Sequence, residues 1–275
     1  MFRKMFTVKC IAKAIFLSSL TLEAFAFGNN GGGGGGEDNV FAEPGDFDVV
    51  TEPGGRDCTI FRPEQLGDDH AVVIWGNGTG ASPNTYAGLL RHYASHGFVV
   101  VAANTSNAGT GEDMLNCLDF LEGSQLASSV DFSKVGATGH SQGGGGAIMA
   151  GVDPRIATTA PIEGFTLGLG HDRDSHDQQN GPMLILSGSA DRLVNPRTNH
   201  APLFDATNVP AFWAIAQGAG HFEPVGDGGD FRGISTAWFL FQLEDDPEAT
   251  THFVGDDCFV CEDPGFDVEG VKEID

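Results

Sequence analysis

Residues 134–150 read KVGATGHSQGGGGAIMA, and this stretch decides the fold. A short strand (134–138) runs into Gly139-His140-Ser141-Gln142-Gly143, a match to Gly-x-Ser-x-Gly, and a helix of small residues (143–150) follows. The pentapeptide alone is a weak signal in a chain with 40 glycines. Its context is strong. A serine at a strand-to-helix junction sits on a tight, strained turn, and glycines on either side let the two elements approach. The turn holds the hydroxyl clear of the sheet, at the head of a helix dipole.

Outward from that junction, apolar runs alternate with helical periodicity. Residues 71–75 (AVVIW) and 98–102 (FVVVA) are continuous apolar runs, as expected of strands buried on both faces. Residues 86–95 place Leu89, Leu90, Tyr93 and Ala94 along one helix face, and 112–126 form a second amphipathic helix. Further strands are expected at 47–50, 58–61, 156–161, 183–187 (MLILS) and 211–216 (AFWAIA), with a last helix at 234–243. Such alternation predicts an α/β fold with a mostly parallel central sheet and helices on both faces. Reactive groups in such a sheet belong at the carboxyl ends of its strands.

A serine hydroxyl needs a base, and the base needs an orienting acid. In a strand–elbow–helix architecture they follow in the order Ser, acid, His. Asp191 lies just past MLILS, and His221 just past AFWAIA, so Ser141, Asp191 and His221 occupy three carboxyl strand ends in that order. The other histidines fit less well: His200 falls in a helix, His252 in an acidic region, and His171 and His176 precede the acid. An oxyanion needs at least two backbone donors. The Gln142 amide follows the nucleophile directly, and the loop after AVVIW offers Asn77 first and Gly78 second.

The 275 residues carry 38 acids against 14 Lys plus Arg, a formal charge of −24. That balance argues against nucleic acid or an anionic membrane as partner. Arg3, Lys4, Lys9 and Lys13, then the apolar stretch 14–22 and Ala24-Phe25-Ala26, read as an export signal over 1–26. The apolar stretch is too short for a membrane span, which takes about 20 residues. Cleavage removes four bases and Glu23, taking the charge from −24 to −27. Residues 27–44 are a glycine-rich linker, with no preceding strand and no following Lys-Ser/Thr to make the glycine run a phosphate loop. The catalytic domain is expected over 45–262 and an acidic tail over 263–275.

After loss of Cys10 with the signal, Cys58, Cys117, Cys258 and Cys261 remain, which allows two disulfides in three pairings. Cys58–Cys117 with Cys258–Cys261 is the favoured pairing. No second Cys or His pair accompanies Cys258-x-x-Cys261, which argues against zinc. The acidic loop 171–177, with Asp227 and Asp230, lacks a calcium-loop pattern and reads as solvated surface. No metal and no cofactor are expected.

Over 45–262 the chain resembles the secreted α/β-hydrolases that include bacterial cutinases and polyester (PET-type) hydrolases, a dienelactone-hydrolase-like branch. The resemblance rests on the loop after AVVIW, on Ala94-Ser95-His96-Gly97-Phe98-Val99-Val100, on the elbow with Gly143 to Gly146, on His221-Phe222 and on a C-terminal Cys. It implies that Ser141, Asp191 and His221 are the triad. It also implies that Asn77, Gln142, Phe165 and Leu193 line the acyl cleft, with Phe165 as an aromatic platform and with His140 and Phe222 also touching substrate. The chain departs from the family's aromatic residue at Asn77 and its Trp at Phe165. Serine at the elbow excludes the branch's cysteine hydrolases.

The expected protein is therefore a secreted, monomeric serine carboxylesterase that takes a small or polymeric ester. A carbohydrate or feruloyl esterase of the same fold is the alternative enzyme. A binding module that kept the fold but lost the chemistry is the alternative of another class.

Overall fold

The computed structural model describes residues 39–274. Nine strands form one sheet: β1 (Val49–Gly54), β2 (Cys58–Pro63), β3 (His70–Gly76), β4 (Val99–Ala103), β5 (Val130–His140), β6 (Thr158–Ile162), β7 (Met183–Gly188), β8 (Ala211–Ala216) and β9 (Phe266–Lys272). Their order is β1-β2-β4-β3-β5-β6-β7-β8-β9. Strands β4 to β8 and β3 pair in parallel, while β1, β2 and β9 are antiparallel additions at the two edges. The export signal and most of the glycine-rich linker lie outside the described residues.

The unbroken apolar runs are buried because both faces of the sheet are covered. Along β3, Val73 and Trp75 join one core and Val72 and Ile74 the other. Helices α1 (Ala87–Ser95) and, on the same face, Phe231–Glu244 supply Leu89, Leu90, Tyr93, Ile234 and Trp238 to the first core. Helix α2 (Glu112–Glu122) and helix α3 (Gln142–Ala150) supply Met114, Leu118, Ala147 and Ala150 to the second. Helix α4 (Pro196–Ala206) adds Leu203 to a smaller cluster with Met183, Ile185 and Trp213. Helix α2 ends at Glu122, four residues before the expected limit, because Gly123 follows and the chain turns into a short 3-10 segment.

Both domain boundaries move outward. Residues 263–275, read as an acidic tail, contribute β9, which pairs with β8 through Ala211↔Lys272 and Ala216↔Phe266. Burial alternates along β9, so its acids face water while Phe266 and Val268 pack inward. At the other end the linker closes earlier than expected. Asn39 caps a 3-10 turn, and buried Phe41 stacks edge-on against His252 at 4.8 Å. That one buried ring joins Phe41 to the core, while Val40, Glu43 and Pro44 beside it stay exposed.

Cys58 is disulfide-bonded to Cys117 and Cys258 to Cys261. The first bridge staples β2 to α2.

Candidate active site

The junction of β5 and α3 brings backbone against backbone. A Cβ on Gly143 would sit 2.1 Å from the Gly76 carbonyl oxygen, and one on Gly139 would sit 2.5 Å from the same atom. Only glycine permits such approach. Ser141, between them, adopts φ +56° and ψ −118°, a conformation that costs a non-glycine residue of order 1–3 kcal/mol. The turn is held by the Ser141 amide donating to Ile162 O, and by the Gly145 and Phe165 amides donating to Ser141 O.

Two loops deliver the partners. The Asp191 carboxylate leaves β7 and accepts the Leu193 and Val194 amides, each at 2.8 Å. Burial pushes this carboxyl up, but the His221 hydrogen bond and those two amides outweigh it and hold it below the ordinary carboxylate range. His221 leaves β8. Its Nδ1 lies 2.7 Å from Asp191 Oδ2 and its Nε2 lies 2.9 Å from Ser141 Oγ. With Asp191 ionised, Nδ1 carries the proton and Nε2 is left to accept from the serine hydroxyl. The three groups named from their order along the chain thus meet at one rim of the sheet.

The other histidines are engaged elsewhere. His200 is wholly buried between Ser187 Oγ and Gly164 O, His171 and His176 face each other at 2.9 Å, and His252 stacks on Phe259. Among the described residues one trio, His140, Glu163 and His221, brings three ligand-type atoms within 4.8 Å of one another. His221 Nδ1 is already committed to Asp191, so the trio is a feature of the triad's surroundings.

A cleft of about 590 Å³ opens over Ser141 and His221. Phe165, Leu193, Phe222 and His140 line it, together with Gly78, Thr79, Tyr86, Leu169, Val194 and Val225. Leu193 and Phe222 are largely exposed on the rim. His140 is buried beneath the nucleophile, with its Nδ1 2.8 Å from Tyr86 Oη.

Asn77 does not line the cleft, contrary to expectation. It is fully buried, accepting from Trp75 Nε1 and donating to the carbonyls of Ala103 and Thr105. These three bonds hold the side chain inward, away from the cleft. Its main chain is also wedged against Gly143. The Gly78 amide is turned toward Tyr86 Oη at 3.3 Å. Gly78 and Thr79 are the residues of this loop beside the cleft, and Thr79 Oγ1 donates to Gln142 Oε1 at 2.9 Å. Gln142 does not line the cleft either, contrary to expectation, because its side chain is buried, donating to Asn107 Oδ1 and to Leu169 O. The sequence reading missed Thr79, Tyr86 and Glu163. For Glu163 a signal existed, because it is an acid directly after β6, the position rule that found Asp191 after β7.

A mostly parallel sheet, a strained serine at the head of α3 and an acid and a histidine on the loops after β7 and β8 define an α/β-hydrolase. The family model described as PET hydrolase-like matches residues 36–266, and the chain belongs to that family. It is similar to cutinase est2 of Thermobifida alba, 27% identical over 227 residues that cover 76% of this chain and 74% of that one. Cutinase 2 of Thermobifida cellulosilytica matches at the same identity over 76% of this chain and 84% of its own. The bis(hydroxyethyl) terephthalate hydrolase of Streptomyces coelicolor is 26% identical over 208 residues, 72% of this chain and 65% of the relative. The protein is a carboxylic ester hydrolase, which sets aside the binding-module alternative. No helix among the described residues is long and apolar enough to cross a membrane.

Proposed function

We propose that this chain is an exported serine esterase that cleaves apolar carboxylic esters, polymeric ones included, through an acyl-enzyme on Ser141. The observation that carries the reading is the continuous contact Ser141 Oγ–His221 Nε2–Asp191, at 2.9 and 2.7 Å. Ser141 Oγ attacks the ester carbonyl while His221 Nε2 takes its proton. The tetrahedral intermediate expels the alcohol, which leaves with that proton. Water then enters, gives a proton to His221 and attacks the acyl carbonyl, and collapse releases the acid and returns the proton to Ser141. Asp191 holds the imidazole in the required tautomer and stabilises the imidazolium in both halves.

The oxyanion donors in this proposal are the amides of Gln142 and Thr79. Gln142 heads α3, where its N–H has no intrahelical acceptor and the helix dipole adds to it. Thr79 replaces Asn77 and Gly78, because the Gly78 amide faces Tyr86 and Asn77 sits behind the cleft. The Thr79–Gln142 side-chain bond ties the two donor segments together.

Support for apolar esters comes from the walls: Phe165, Leu169, Leu193, Val194, Phe222 and Val225 outnumber the polar side chains. Exposed Leu193 and Phe222 continue that surface out of the cleft, which suits a chain longer than the cleft itself. The basic and apolar pattern of residues 1–26 supports export. In the mature chain, Ser141→Ala should lower p-nitrophenyl butyrate turnover by on the order of 10⁵-fold or more and abolish fluorophosphonate labelling. Retained turnover would end the serine mechanism. A preference for acetylated or feruloylated sugars over aliphatic and aromatic polyesters would instead select the carbohydrate-esterase alternative.

A further inference from the structure

The triad stands beside a second carboxyl group. Glu163, one residue past β6, is fully buried, and its Oε2 lies 3.7 Å from His221 Nδ1 and 3.3 Å from His140 Nε2. Asp191 Oδ2 occupies the same nitrogen of His221 at 2.7 Å. The fold goes to some length to seat this acid. Glu163 is held at φ +46° by its amide donating to Leu186 O, a left-handed conformation that favours glycine. Opposite it stands Gly188, where a Cβ would lie 2.5 Å from Glu163 Oε1. Any other residue at 188 would displace the carboxyl.

The ionisation state follows from the surroundings. As an ionised acceptor Glu163 finds no donor, since neither of its oxygens has a hydrogen-bond partner. The titratable groups facing it from the packed elements are Asp191 after β7, His221 and Glu223 after β8, His140 at the end of β5 and the Tyr86 hydroxyl before α1. His140 is neutral, because burial and the nearby His221 push its imidazole down to about 3. Two buried carboxyls that face one nitrogen of His221, at 2.7 and 3.7 Å, disfavour each other's charged form. Burial, then Asp191 and Glu223, push the Glu163 carboxyl up to about 9. One proton is therefore shared between the two acids, and Glu163 is the member that holds it and donates toward Asp191.

We propose that the acid of this triad is a pair, with protonated Glu163 a positioning residue that holds Asp191 against His221 and can itself take over the His221 hydrogen bond when Asp191 is removed. The proposal rests on the serine mechanism above. No co-reactant is needed: without Asp191 burial still favours the protonated carboxyl, so Glu163 gives its proton to solvent as the pH rises, and its Oε2 then accepts from His221 Nδ1. His140, 3.3 Å from this carboxyl, is itself bonded to Tyr86 Oη, which accepts from the Gly78 amide, so the acid pair adjoins the loop that carries Thr79.

The test is a double-mutant comparison in the mature enzyme, with p-nitrophenyl butyrate as substrate and thermal melts as the check on folding. Losing the sole acid of a triad costs about 10⁴-fold in kcat. With Glu163 in reserve, Asp191→Ala should lose about 10²-fold, and adding Glu163→Gln should take it down to about 10⁴. In the wild-type background Glu163→Gln, which keeps a donor toward Asp191, should cost only several-fold. The activity of Asp191→Ala should also rise with pH through a limb that the double variant lacks, which a purely structural role does not produce. If Asp191→Ala folds poorly, Asp191→Leu fills the buried site without offering His221 a hydrogen bond and serves in its place. A loss of about 10⁴ from Asp191→Ala alone, with no further loss on adding Glu163→Gln, overturns the proposal. Ser141→Ala run in parallel separates the two levels: if it stays active the serine mechanism fails, and if it is dead only the Glu163 role is in question.

Discussion

Replacing Glu163 by glutamine should stabilise the folded protein, and by more as the pH rises. The carboxyl is raised from an ordinary 4.5 to about 9 by burial first and by Asp191 and Glu223 next. A raised acid contributes its full stability below 4.5, where folded and unfolded chains both bind the proton. Between 4.5 and about 9 the unfolded chain releases it and the folded one does not, so folding is penalised by about 1.4 kcal/mol per pH unit. At pH 7 that amounts to about 3 kcal/mol, a large fraction of a typical folding free energy. Glutamine has no proton to retain, yet it preserves the shape, a donor toward Asp191 and an acceptor for His140. The residue stays at the same positive φ, so backbone strain cancels in the comparison. Guanidinium unfolding of wild type and variant at pH 4.5, 6, 7 and 8.5 measures the difference. The two curves should coincide near pH 4.5 and diverge steadily above it. A difference that stays flat from pH 4.5 to 8.5 would show that Glu163 ionises normally, and the shared-proton argument would fall with it.

Three further outcomes follow from the geometry. Gly143→Ala drives a Cβ to within 2.1 Å of the Gly76 carbonyl oxygen, backbone that cannot yield, so it should cost about 3 kcal/mol or more in a denaturant melt. Removing Cys58–Cys117 as a double Ser variant should cost about 4 kcal/mol, because the bridge spans 59 residues, whereas removing Cys258–Cys261, which spans 3, should cost about 2. Thr79→Val breaks the Thr79–Gln142 bond between the two oxyanion segments and should lower kcat about tenfold with little change in KM, as steady-state kinetics on short esters will show.

Much of the site was legible because the fold makes position along the chain equivalent to position in space. In a parallel sheet every strand ends at the same rim, so a serine, an acid and a histidine placed just after β5, β7 and β8 converge whatever lies between them. What failed to show has a common cause. Strand β9 alternates weakly in an acid-rich stretch and is a strand because β8 offers an open edge. Asn77 and Thr79 sit two apart in a polar turn. Which of them faces substrate depends on the bonds that Asn77 makes with Trp75, Ala103 and Thr105 from behind.

The amino-acid sequence alone determined the alternating α/β plan, the elbow at Ser141 and the three residues that meet around it, because periodicity, glycine placement and chain order are local properties. Only the tertiary structure decided that Thr79 rather than Asn77 reaches the cleft, and that a buried second acid stands behind His221. Both depend on which groups lie within a few ångströms of one another across strands far apart in the chain. Hydrogen-bond satisfaction and the charge state of paired carboxyls are set by those distances.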